Sequence, residues 1–176
     1  MPTILSHVAV PLALGLALGS PVVSSRLFVA GMAASVLPDL DVVAFRVGIG
    51  YSHEFGHRGV SHSLAFALLL AVVAAGAARH LLVSRKAAFF FVLAAAASHG
   101  LLDMLTNGGL GVALVWPFSE QRYFFPWHVI EASPLSLHRV FGSAGILVFK
   151  SELLWVWLPS LLVGLALHAA RRKNAL

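Results

Sequence analysis

The chain has 176 residues, of which 59% are hydrophobic and only 11% charged, and its mean hydropathy is +0.89; soluble domains run near half apolar and about a quarter charged, so disorder is excluded and the balance argues against an ordinary soluble globule. It contains no cysteine, which removes disulfides, thiolate metal sites and thiol nucleophiles. The net charge of +5 comes from basic residues scattered between apolar runs, the pattern of loops in a membrane protein rather than of a nucleic-acid face.

The apolar runs predict an all-α fold. One membrane-embedded helical domain covers residues 1–176, a polytopic bundle with five hydrophobic helices near 4–19, 24–38, 60–78, 87–106 and 148–170. A full crossing takes about 20 apolar residues, so the short first two read as a hairpin that tilts or crosses only in part. The first carries no charge but His7 and lacks the positive start of a cleaved signal peptide. The second stops at Pro38, followed by Asp39 and Asp41. The third opens on His57-Arg58-Gly59-Val60-Ser61-His62-Ser63, where Ser61 is the expected N-cap and His62 sits in the first turn. The fourth ends in Ser98-His99-Gly100-Leu101-Leu102-Asp103, with His99 and Asp103 four apart and therefore on one face. A long aromatic-rich segment from Thr106 to Ser143 precedes the fifth; its polar members are Arg122, His128, Glu131, His138 and Arg139. It reads equally as a lid over a site or as an interfacial anchor.

Arg26, Arg79, Arg85, Lys86, Arg171, Arg172 and Lys173 fall at one end of such a bundle. The positive-inside rule makes that end cytoplasmic, together with the C-terminus, with Arg46, Arg58, Arg122, Arg139 and Lys150 left on the outer side as the smaller group. The outer end then receives His7, Asp39, Asp41, His57, His62, His99 and Asp103, from four separate helix ends, and all three aspartates of the chain belong to this group. Ionisable groups at membrane depth are costly and usually functional, and one shared metal ion satisfies several at once. Taken singly, each piece has a plain alternative: a His–Asp hydrogen bond, a solvated turn, a capped helix start. Their convergence favours a metal site with those seven residues as ligands. Nitrogen and oxygen donors without sulfur fit zinc and also accept manganese or iron. Asp39, Asp41, Asp103 and Arg58 are the expected catalytic groups, an aspartate taking a proton from water and Arg58 stabilising phosphate charge.

These motifs, in this order and followed by Trp116-Pro117-Phe118, resemble the YdjM family of bacterial inner-membrane proteins over about residues 5–120. The resemblance implies a multi-pass inner-membrane protein and a metal-dependent hydrolase. A more distant likeness to zinc-dependent phospholipase C and P1-type nucleases, all-helical enzymes with a step like His99 to Asp103, implies phosphoester chemistry. The expected function is a metal-dependent phosphoesterase acting on a membrane lipid or lipid-linked substrate at the outer interface, with no nucleic-acid partner and an oligomeric state left open. Three rivals remain. An amidase or peptidase is one, although no HExxH step is present. A metal transporter or sensor would carry polar residues through the depth of the membrane, and here they gather at one side. A scaffold would use its His–Asp pairs only to knit helix ends.

Overall fold

The computed structural model describes residues 1–134 and 142–173; His138 and Arg139 lie outside the described residues. The described chain is helical, with no β-strand and two isolated bridges, Val112 with Tyr123 and Thr106 with Ile130. The five helices are α1 Ile4–Leu18, α2 Ser25–Val36, α3 Leu64–Gly76, α4 Arg85–Met104 and α5 Ser143–Lys173.

Their boundaries have local causes. Pro11 cannot donate to the His7 carbonyl, and α1 is interrupted at Val8. The hydroxyls of Ser24, Ser63 and Ser84 accept from the N–H groups of Leu27, Phe66 and Ala87 at 3.1 Å each, starting α2, α3 and α4. The cap of α3 is therefore Ser63 and not Ser61, whose hydroxyl is turned to Asp41. His62 consequently lies in a short 3₁₀ turn, Val60–His62, ahead of α3. Pro38 does not stop α2 outright; lacking an N–H, it marks a switch to tighter 3₁₀ winding over Leu37–Val47.

Helix α4 is the centre of the bundle. It packs on α2 and α3, while α1 lies between α2 and α5. The core around α4 is built largely from small residues, Ala67, Ala71, Ala88 and Ala95, set between Leu27 and Phe91. Small side chains let helices approach closely where lipid supplies no hydrophobic contrast. The outermost helix, α5, is joined to α1 at Gly164, where an added Cβ would lie 3.0 Å from the Ala13 carbonyl oxygen.

Three segments are long and apolar enough to cross a membrane: Ser25–Val47, Arg85–Met104 and Ser143–Lys173. The short helices are α1 and α3, whereas the sequence pointed to the first two. The 3₁₀ extension lengthens the second, and the Ser63 cap and a chain turn after Gly76 hold α3 to 13 residues. That is about 20 Å of helix against an apolar core of about 30 Å. The fifth helix begins at Ser143, earlier than expected, and contains a π turn, Leu153–Trp157.

The bundle has two unlike poles. At one, Arg26 donates to the His80 carbonyl at 2.9 Å, His168 Nδ1 donates to the Leu16 carbonyl at 3.0 Å, and Arg171 donates to the Leu18 carbonyl. At the other, Glu152 of α5 is buried and clamps the start of the chain. Its carboxylate accepts from the Thr3 N–H, from Thr3 Oγ1 at 2.7 Å and from Ser6 Oγ at 2.8 Å. The Trp157 indole donates to Ser6 Oγ at 3.1 Å. Replacing Glu152 by Ala strands these donors in an apolar setting, at a cost of about 2 kcal/mol. The thermal midpoint of the detergent-solubilised protein is expected to fall by about 4–8 °C. An unchanged midpoint would contradict the clamp.

Candidate metal centre

Four side chains from three elements meet at the Glu152 pole. Asp39 comes from the 3₁₀ extension of α2, His62 from the turn before α3, and His99 and Asp103 from successive turns of α4. One ligand atom from each lies within 4.8 Å of the others. His62 Nε2 is 3.0 Å from His99 Nε2, 3.3 Å from Asp103 Oδ2 and 3.8 Å from Asp39 Oδ1. His99 Nε2 is 3.5 Å from the same Asp39 oxygen. None of the four residues is more than 3% exposed.

Hydrogen bonds on the far side of each ring decide where its proton sits. His99 Nδ1 lies 2.7 Å from the Ser35 carbonyl oxygen, which can only accept, so Nδ1 carries the proton. His62 Nδ1 faces Ser61 Oγ at 3.0 Å and Asp41 Oδ2 at 3.1 Å. Ser61 Oγ uses its own proton on Asp41 Oδ2, at 2.6 Å, so both neighbours accept from His62 Nδ1. With both rings neutral, each turns an unprotonated Nε2 toward the other, 3.0 Å away; with His62 doubly protonated, the same contact is an N–H···N hydrogen bond. In the neutral pair the two lone pairs repel, and a cation beside them converts the repulsion into attraction.

The carboxylates make the same demand. Both oxygens of Asp39, both oxygens of Asp103 and both ring nitrogens of His7 are buried with no hydrogen-bond partner. Arg58 Nε is 3.0 Å from Asp103 Oδ2, an ion pair without the alignment of a hydrogen bond. Buried charge is tolerated when it is paired or bound to metal. The donor set of two imidazoles and two carboxylates fits a divalent cation of the zinc, manganese or iron kind.

The seven expected ligands divide into two groups about His62. His7 stacks on His99 with ring centroids 3.7 Å apart. Its Nε2 is 3.7 Å from Asp39 Oδ2 and 3.8 Å from Asp103 Oδ1, so it adjoins the first group. Asp41 and His57 fall on the other side and, with His62, form a second group that could hold an ion. In 3₁₀ winding, residues two apart point about 240° apart, which sends Asp39 to one edge of the His62 ring and Asp41 to the other. The Asp41 carboxylate is already supplied: His57 Nδ1 lies at 2.6 Å, and Ser61 Oγ and the Arg58 N–H donate at 2.6 and 3.1 Å. A carboxylate behind a ligating histidine fixes its tautomer and ring orientation.

Arg58 differs from expectation. Its side chain is fully buried, and its guanidinium donates to the Gly108 carbonyl at 2.7 Å and to Thr106 Oγ1 at 2.8 Å besides pairing with Asp103. Fully buried and turned inward, it presents no guanidinium face at the surface of this pole for a substrate phosphate. Gly100 was passed over in the sequence. An added Cβ there would lie 2.6 Å from the His62 carbonyl oxygen, so the glycine beside His99 lets α4 approach the His62 turn. The signal was present as the Gly in Ser98-His99-Gly100.

A cover of loops closes this pole. Arg122 donates to the carbonyls of His57, Tyr51 and His53 at 2.9, 3.1 and 3.0 Å, and the Trp116 indole donates to Glu54 Oε2 at 3.2 Å. The Ala113 N–H donates to the Arg58 carbonyl at 3.0 Å. Burial pushes the Tyr51 phenol up from its ordinary value, so it stays protonated at neutral pH. The remaining histidines stand apart: His53 is exposed and accepts from the Phe55 N–H, His128 lies against Phe124, and His80 and His168 sit at the opposite pole.

Substituting Asp41→Asn keeps the shape but removes the carboxylate behind His62. Zinc affinity, measured by competition with a chelating dye, is expected to fall about 10–100-fold. Gly100→Ala is expected to weaken binding as well, by displacing the His62 turn. Wild-type affinity in both variants would contradict this arrangement.

Comparison with known proteins accords with the membrane character of the fold. The chain is 43% identical over 164 residues to the inner membrane protein YbcI of Escherichia coli (strain K12), covering 93% of this chain and 95% of that protein. No solved structure matches it. The family described as YdjM inner membrane protein matches residues 1–175, and the chain belongs to that family.

Proposed function

We propose that the protein is a metal-dependent hydrolase of the inner membrane, acting on a lipid-borne phosphoester at the outer interface. The observation that carries the reading is the convergence of two imidazole Nε2 atoms, 3.0 Å apart, with two buried carboxylates that accept no hydrogen bond, at one pole of an apolar bundle. Asp39, His62, His99 and Asp103 hold the ion, with His7 adjoining. A bound zinc supplies a Lewis acid that lowers the pKa of water toward 7 and polarises a phosphoryl oxygen.

The chain's own groups do the rest. Asp41 and the Ser35 carbonyl keep the protons of His62 and His99 on Nδ1. Arg58 pairs with Asp103, as a positioning residue rather than a phosphate contact. Asp39, whose oxygens have no donor, is the carboxylate available to accept a proton. In this reading the pole with Arg26, Arg171 and the C-terminus faces the cytoplasm.

One observation favours a second reading: every residue of the four-ligand group is buried, and closed sites are typical of structural metals. There the ion only knits the helix ends. Metal-loaded protein in vesicles separates the two. The hydrolase is expected to cleave a phospholipid or polyprenyl phosphate, and Asp39→Ala, which removes a metal ligand together with the proton acceptor, to lower the rate about 100-fold or more. Full metal occupancy without turnover on that panel would leave the structural reading, and an undiminished rate after chelation would refute the metal mechanism. Sidedness has its own check, since the chain has no native cysteine. In intact cells, His53→Cys is expected to react with an impermeant maleimide from outside; labelling only after lysis would invert the orientation.

A further inference from the structure

A groove of about 800 Å³ runs between α1 and α5, with Leu12 and Leu16 on one wall and Leu154, Leu158 and Leu161 on the other. Its volume lies within the range of about 300–1,000 Å³ typical of small-molecule sites. Its polar contribution is slight. Among the described residues Lys150 is the one charged side chain on its wall. Lys150 precedes Glu152 by two residues, and Glu152 holds Thr3 and Ser6. The charged end of the groove is therefore the metal-centre end, next to His7 on α1. The π turn Leu153–Trp157 lies on the same wall, and such turns recur at functional sites. Leu154, Leu158 and Leu161 are all exposed although they line the groove, so it opens sideways to the surroundings of the bundle.

We propose that this groove seats one acyl chain of an anionic phospholipid drawn from the surrounding bilayer, with Lys150 paired to its phosphate. The apolar walls match the chain, and Lys150 at the polar end matches an anionic headgroup. A lysine stem can lie along apolar surface while its ammonium reaches the interface. As the seat of the substrate of the proposed hydrolysis, the groove rests on that reading. As a lipid site it stands by itself, because its occupancy requires neither turnover nor metal.

The test is native mass spectrometry of the detergent-solubilised full chain, titrated with phosphatidylglycerol or phosphatidylcholine. One phosphatidylglycerol is expected to be retained in preference to phosphatidylcholine. Lys150→Gln, at an exposed position, is expected to reduce that preference about fivefold. Leu12→Phe, which fills the groove, is expected to reduce retention of both lipids. Equal retention of the two lipids, unaffected by Lys150→Gln, would overturn the proposal. A dimer lost in Leu12→Phe with no lipid retained would give the groove to a second copy and overturn it too. Selective retention without any hydrolysis would keep the groove and count against the reaction; metal-dependent hydrolysis without selective retention would do the reverse.

Discussion

Two aspartates without hydrogen-bond donors, Asp39 and Asp103, sit inside an apolar helical bundle, and the surrounding structure is arranged around that fact. A carboxylate in low dielectric is held by an opposite charge or by a metal. Arg58 supplies one cation, and it lies beside Asp103 only. The imidazoles of His62 and His99 turn Nε2 to the same point, their Nδ1 atoms being held by Asp41, Ser61 and the Ser35 carbonyl. The point where these groups converge is local, buried and surrounded by metal-competent atoms.

The fold serves that point by close approach. Gly100 lets α4 meet the His62 turn, and Pro38 turns α2 into 3₁₀ winding that sends Asp39 and Asp41 to opposite edges of one imidazole. Arg58 joins the Gly59–Ser63 stretch to the segment after α4 through Gly108 and Thr106, and Arg122 ties the 51–57 loop down over it. Glu152 and Trp157 fix the start of α1, and so the position of His7. A residue from each of the five helices or its flank is thus fastened at one pole, while the opposite pole gathers basic side chains on helix-end carbonyls.

Much of this was legible in the residues. Five apolar runs gave five helices, and the four-residue step from His99 to Asp103 placed both on one buried face, as helical geometry requires. The gathering of His7, Asp39, His62, His99 and Asp103 at one end followed from alternating helix direction alone. What was hidden depended on distances between elements. Ser61 and Ser63 are equally good caps on paper, and only the Asp41 carboxylate, arriving from α2, decides between them. Arg58 looked like a phosphate ligand because its inward partners, Thr106 and Gly108, are some fifty positions away. Glu152 showed nothing in the sequence, since its partners Thr3 and Ser6 lie at the far end of the chain.

The most direct measurement is metal content by plasma mass spectrometry on the purified wild type beside His99→Ala and Asp39→Ala. The account predicts one equivalent or more of a divalent metal in the wild type, lost in both variants because the two residues belong to one centre. A wild type that stays metal-free after reconstitution with zinc and with manganese would contradict it.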